Sequence, residues 1–183
     1  MTQTQITKQV INALDQLGIP YMITGAIASS YYGKPRFTHD IDLVVHVKKE
    51  SAPLIEKLFQ DDFYVSSVGI LDALNHRTMF NLIHNETGIK IDCWIIGPGK
   101  YDTTAFDRRK KVKIFDEDMY ISAPEDVILS KLKWYTESGT DKHLDDISGI
   151  IEVQQDNLDI DYLKTWSNKL SVNDLLDRLL KIL

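Results

Sequence analysis

Cysteine is almost absent: Cys93 is the only one in 183 residues. That excludes an intrachain disulfide framework and any zinc ribbon built on paired cysteines. Nine glycines and five prolines are too few for a collagen-like or low-complexity chain. No apolar run approaches the ~20 residues that a membrane-spanning helix needs. Residues 1–8 contain no apolar stretch of the kind a secretory signal carries, so the expectation is a soluble, cytoplasmic protein with no membrane partner. An excess of positive charge is missing as well. The 21 basic and 27 acidic residues leave a formal net charge of −6, which argues against a surface that coats nucleic acid as a whole and leaves room for a local basic patch. With 43% hydrophobic and 26% charged residues, the composition is that of an ordinary globular protein. The length suits one domain with a small appendage, enough to bury a core without a metal or disulfide staple.

Periodicity supplies the elements. Ile6, Val10, Leu14 and Leu17 recur at helical spacing and predict a helix over residues 4–17, ended by Gly18 and Pro20. Residues 21–24 form a short β-prone run that stops at Gly25, and 26–32 a compact helix closed by Gly33 and Pro35. Residues 41–47 read as a central strand. Pro53 opens a helix whose apolar side holds Leu54, Ile55, Leu58 and Phe59. A strand over 63–65 and a single helical turn over 69–74 follow. Residues 78–84 and 89–96 read as a hairpin, 101–108 as a short helix, and 111–115 with 119–122 as a second hairpin. Ser122 and Glu125 have capping-box spacing, and from Pro124 onward the pattern is helical, over 124–138, 140–153, 158–170 and 172–183. The expected fold is α+β with an α/β core: a mixed β-sheet flanked by helices, with a C-terminal helical bundle, divided into 1–122 and 123–183.

The chemistry concentrates in acids. Asp40 and Asp42 stand at i and i+2 where the central strand begins, so they point to one face of the sheet. Like charges side by side are costly unless a cation neutralises them, and a hard divalent ion such as Mg²⁺ does so in phosphate chemistry. The alternative is two solvated acids. Upstream, Gly25 and Ala26 lie at a strand-to-helix turn, and Ser29 stands one turn into the helix. Such a turn offers free N–H groups and a partial positive charge to a phosphate; the alternative is a tight turn and a capped helix. Asp92 stands in a largely apolar strand beside Ile91 and Cys93, where a carboxylate needs a partner. That partner is either a metal shared with Asp40 and Asp42, or Lys90 at a water-facing edge. Cys93 reads as a core residue and His39 as structural. Arg108, Arg109, Lys110, Lys111 and Lys113 suit either an acceptor nucleic acid or a lysine-protected edge strand.

Three stretches taken together, Thr24-Gly-Ala26, Tyr32-Gly-Lys-Pro-Arg-Phe-Thr-His-Asp-Ile-Asp-Leu43 and Ile91-Asp92, resemble the nucleotidyltransferase superfamily related to DNA polymerase beta. The wording is most similar to the small bacterial branch that includes AbiEii-type toxins. Residues 123–126, 131–135 and 142–147 add to the resemblance, which spans roughly residues 20–150.

The resemblance implies a nucleotidyltransferase-type mixed sheet and an Mg²⁺- or Mn²⁺-dependent enzyme. It would transfer a nucleoside monophosphate from an NTP such as ATP to a hydroxyl of RNA, protein or a small molecule, by two-metal phosphoryl transfer. Asp40, Asp42 and Asp92 would be the catalytic metal ligands. Gly25, Ala26 and Ser29 would cradle the pyrophosphate. Arg36 and Lys131 would contact the triphosphate, with Trp134 and Tyr135 available to stack a base, and Asp146 would lie in or just behind the site. Ala26 departs from the family's Gly or Ser, which leaves only backbone N–H groups at that position. For Lys131 and Asp146 the alternative is an exposed lysine and a helix-surface acid pair with Asp145. The branch also implies a toxin role with a cognate antitoxin as partner. The rival to catalysis is a nucleotide- or partner-binding module that keeps the fold, although such a binder would not need all three acids.

Overall fold

The computed structural model describes residues 1–182; Leu183, the end of the helix expected over 172–183, lies outside the described residues. The chain divides into two compact units, one of Met1–Thr24 with Thr38–Ile121, the other of Gly25–Phe37 with the chain from Ser122 on. The division is not linear in sequence.

Seven strands build the first unit: β1 (Tyr21–Ile23), β2 (Ile41–Val45), β3 (Phe63–Tyr64), β4 (Met79–His84), β5 (Lys90–Ile95), β6 (Lys110–Ile114) and β7 (Glu117–Ile121). They form one mixed sheet in the order β3-β4-β5-β2-β1-β7-β6. The pairs β2–β5 and β1–β7 are parallel and the others antiparallel. Alternation sorts the residues onto two faces. Tyr21, Ile23, Ile41, Leu43, Val45, Phe80, Leu82, Ile91 and Cys93 share one face and are all buried. Burial pushes the Cys93 thiol up, so it is an inert core group.

The helices of this unit are α1 (Gln3–Gln16), α3 (Ala52–Phe59), α4 (Ser67–His76) and α5 (Lys100–Asp107). Helix α1 is fixed by a capping box of Thr2 with Gln5, and Gly18 follows it at φ +61°, as a left-handed C-terminal position favours. Helix α4 is ten residues long and not the single turn expected, because the Ser66 side chain caps it by accepting from the Gly69 N–H. The turn between β6 and β7 is also tighter than expected: Phe115 and Asp116, at φ 54° and 66°, form the two-residue connection that matches strand twist.

The second unit holds α2 (Gly25–Tyr32), α6 (Pro124–Ser138), α7 (Lys142–Gln154), α8 (Ile160–Lys169) and α9 (Asn173–Ile182). The expected Ser122–Glu125 capping box does not form. Ala123 is the N-cap and has no side-chain acceptor for the first turn, while the buried Glu125 accepts the Asp159 N–H at the start of α8, at 3.0 Å. Helix α2 packs on α6 and α7. No helix among the described residues is long and apolar enough to cross a membrane.

Gly33, at the end of α2, sets the approach to α7. A Cβ there would lie 2.8 Å from the Ile150 nitrogen and 2.9 Å from the Gly149 carbonyl carbon, both backbone atoms that cannot swing aside. Gly33→Ala is expected to destabilise the protein by about 1–3 kcal/mol, read from urea unfolding followed by circular dichroism.

Candidate functional site

The second face of the sheet carries the acids. In parallel register Asp42 of β2 is the partner of Asp92 of β5, and Asn81 of β4 is the partner of Asp92 on its other side. Three polar side chains therefore stand abreast across three central strands. The Thr24 N–H donates to the Asp42 carbonyl at 2.9 Å, which brings the end of β1 alongside. Asp40 is exposed just before β2, and its N–H donates to the Thr38 hydroxyl at 3.2 Å.

Asp92 is 8% exposed, and both its oxygens are engaged. The Asn81 amide donates to Oδ1, and the Lys90 ammonium donates to Oδ2 at 2.9 Å. The hydrogen bond to Asp92 raises the Lys90 pKa, and the charges of Asp92, Asp40 and Asp42 add to that effect. Lys90 is thus the cation in the field of all three acids. Asp92 pairs with Lys90, as one sequence reading expected, but it does so buried on an inner strand and not at a water-facing edge.

The donors are carboxylate oxygens, which suit Mg²⁺ or Mn²⁺. Among the described residues, no three His, Cys, Asp or Glu side chains converge as a ready metal site; the contact made by the Lys90 ammonium on this face is with Asp92.

The residues expected to contact phosphate lie in the second unit. Gly25 has φ +62°, a conformation that favours glycine at this turn. Ser29, the expected phosphate donor, is buried, and its hydroxyl donates to the Gly25 carbonyl at 2.9 Å. Ala26 is buried in the first turn of α2.

Asp146 is no surface acid. It is 7% exposed, while Asp145 faces solvent. Arg36 grips Asp146 with two bonds, Nε to Oδ1 at 2.7 Å and Nη2 to Oδ2 at 3.0 Å. Lys131 adds a third bond to Oδ2 at 2.6 Å. Burial raises the Asp146 pKa, but the bonds and charges of Arg36 and Lys131 outweigh it and hold the carboxyl below its ordinary value. The exposed-lysine alternative for Lys131 also falls, since it is 2% exposed. Its ammonium lies 5.7 Å over the Trp134 ring, which in turn packs against His143. The expected stacking role of Trp134 therefore meets a ring that already has two neighbours.

In the basic run that opens at Arg108, Arg109 lies against the Phe106 and Tyr120 rings, and the run continues as β6, an outer strand of the sheet, where Lys111 pairs with Asp118 at 3.5 Å. That placement matches the protected-edge reading.

No protein-family model matches the chain, and no curated protein matches it in sequence. Solved structures do match. An antigenic nucleotidyltransferase-like protein from Paracoccidioides brasiliensis superposes with a TM-score of 0.56 at 21% identity, over 97% of this chain and 91% of that one. ANT(2'')-Ia in complex with adenylyl-2''-tobramycin superposes with a TM-score of 0.61 at 13% identity, over 93% and 99%. The lincosamide antibiotic adenylyltransferase LnuA, lincomycin-bound, gives 0.55 at 14% identity, over 84% and 98%. The chain has the nucleotidyltransferase fold.

Sequence reasoning missed Asn81. The signal was there: once 78–84 and 89–96 are paired as a hairpin, counting back from the loop puts Asn81 opposite Asp92.

The Arg36–Asp146–Lys131 cluster makes a stability prediction. Asp146→Asn leaves a buried ammonium without its counter-charge and is expected to cost about 3–5 kcal/mol, whereas Lys131→Met costs less because Arg36 still satisfies the acid. The sign with pH follows from the depressed pKa. The stabilisation is present above the ordinary carboxyl value of 3.8 and is lost as pH falls through the lower, folded-state value. Urea unfolding between pH 7 and pH 2 should show an acid loss in the wild type that shrinks in Asp146→Asn.

Proposed function

We propose that this protein is a nucleotidyltransferase that moves a nucleoside monophosphate from an NTP to a hydroxyl of a small-molecule acceptor. The observation that carries this reading is the side-by-side register of Asp42 and Asp92 in the centre of the sheet, with Asp40 two residues upstream. In the reaction the acceptor oxygen bonds to the α-phosphorus, the bond to the bridging oxygen breaks, pyrophosphate leaves, and the hydroxyl proton passes to a carboxylate or to water.

Asp40, Asp42 and Asp92 would hold Mg²⁺ or Mn²⁺. When bound, the ion neutralises the triphosphate and makes the attacking hydroxyl more acidic. Asn81 fixes one oxygen of Asp92 and so orients the carboxylate. The other oxygen, now bonded to Lys90, is the one available for exchange. The N–H groups of Gly25 and Ala26 serve the leaving pyrophosphate. Asp146 aims the Arg36 guanidinium, whose side chain stays 32% exposed and is the group here assigned to the triphosphate. Lys131 acts from inside by holding Asp146.

Two considerations favour a small acceptor. ANT(2'')-Ia is bound to an adenylylated tobramycin, and LnuA is an adenylyltransferase with lincomycin bound. The net charge of −6 disfavours a polyanionic acceptor.

The test is transfer of label from each α-labelled NTP, with Mg²⁺, to a panel of hydroxylated small molecules and to total RNA. Asp40→Ala and Asp42→Ala are expected to lower transfer about 100-fold or more, equivalent to ~2.7 kcal/mol of barrier, with the circular dichroism spectrum unchanged. Asn81→Ala is expected to cost about 10–100-fold, as groups that orient a ligand do. Transfer that survives both Asp changes would contradict the assignment.

A further inference from the structure

Trp94 stands out among the exposed apolar residues because of its strand. Tyr64 belongs to the edge strand β3, Phe37 to a loop and Val68 to a helix. Trp94 lies on β5, with β4 on one side and β2 on the other, and is still 38% exposed. Alternation requires only that position 94 face away from the core, because Cys93 and Ile95 are buried on the other side. A small polar residue would satisfy that. A half-open indole in mid-sheet leaves apolar surface in water, a feature more typical of a binding surface than of a structural position.

The register supplies its surroundings. Met79 is the cross-strand partner of Trp94 on β4, and Val44 is its partner on β2. Val44 packs against the cluster of Met22, Ile96 and Phe106, which backs one end of the row. Two residues before Met79, the Arg77 guanidinium donates to the Ile96 carbonyl at 3.4 Å. The row Val44–Trp94–Met79 therefore runs parallel to the row Asp42–Asp92–Asn81, two residues away along the strands. At ~3.3 Å per residue that is about 6.6 Å, roughly the reach of one hydroxyl hydrogen bond plus one six-membered ring.

We infer that Trp94 and Met79 are the platform on which the ring of the acceptor rests while its hydroxyl meets Asp92. The inference depends on the nucleotidyltransferase reading for the identity of Asp92 as the reactive end. The occupant is a hydroxylated ring with one face of C–H groups, uncharged or cationic, because the adjoining row carries the carboxylates of Asp42 and Asp92, which disfavour a phosphate-bearing chain. Trp94 sets specificity by stacking, and Met79 adapts to the ring's edge.

The experiment reads binding without needing turnover. The protein has three tryptophans, so ¹H–¹⁵N spectra of the full chain show three indole N–H signals, with Trp94 identified by its loss in Trp94→Phe. The probes are methyl α-D-glucopyranoside and glucosamine at roughly 10–50 mM, the range of weak small-ligand binding. An Mg²⁺ complex of a non-hydrolysable NTP analogue and a short RNA are titrated separately. The expected result is a saturable shift of the Trp94 signal with at least one sugar, while those of Trp134 and Trp166 stay in place. No Trp94 shift with either sugar overturns the platform. So does a Trp94 shift with the NTP analogue or the RNA alone, which would make it a base-stacking or nucleic-acid residue. Absence of label transfer from the wild type, with the sugar-induced shift present, removes the reaction and leaves the platform. Where transfer is seen, Trp94→Ala is expected to raise the acceptor KM about tenfold or more, with the NTP KM within about twofold of wild type and Trp94→Phe largely rescued; an NTP KM that rises instead counts against the assignment.

Discussion

Parallel pairing of β2 with β5 forces two carboxylates together, and most of the first unit can be understood from that constraint. Like charges directly opposite each other in neighbouring strands are destabilising. Here the pair sits in the middle of a seven-stranded sheet, where neither strand can slip without turning the Leu43 and Cys93 face to solvent. The register is held by the apolar face, and the repulsion is answered on the polar one. Lys90, two residues before Asp92, supplies the charge, and Asn81 supplies the neutral bond. The parallel pairing also accounts for the length of chain between β2 and β5. A crossover is required, and here it carries α3, β3, α4 and β4.

The second unit reverses the balance. There one buried acid, Asp146, among others in the unit, is bonded to two cations, Arg36 and Lys131. A buried ion cluster of this sort is a weak source of net stability, but breaking it by removing the shared partner is strongly unfavourable. Its effect is therefore on geometry more than on stability. It ties Arg36, on the irregular stretch that follows α2, to α6 and α7, two helices that α2 itself meets closely at Gly33. One unit thus holds an acid-rich face with one lysine, and the other a base-rich cluster with one aspartate.

Much of this was legible in the sequence, and the parts that were not share a cause. Period-two alternation around Asp42 and Asp92 identified both strands and the face the acids occupy, because a core face written in Ile, Leu and Val leaves no other choice. The resemblance to nucleotidyltransferases anticipated the fold that the solved structures share. Tertiary partners were harder to read. Local sequence did not reveal that the Ser29 hydroxyl bonds back to the carbonyl four residues earlier in its helix. Glu125 matched a capping box by spacing, yet its partner is the start of α8, thirty-four residues away. Asp146 looked like half of a surface pair because its partners, Lys131 and Arg36, are fifteen and 110 residues away. Helix α4 was underestimated because Gly69 lowers helical propensity, while the Ser66 cap and the packing against α3 and β4 compensate.

The central proposal is that Asp42 and Asp92 hold a divalent cation, for which the Lys90 ammonium now bonded to Asp92 would have to give way. Mn²⁺ titration followed by electron paramagnetic resonance, with and without an NTP analogue, measures this directly. The expected result is saturable Mn²⁺ binding that is lost in Asp42→Asn and in Asp92→Asn and that tightens in Lys90→Met. Binding that is unchanged in both Asp variants, or weakened by Lys90→Met, would contradict the claim.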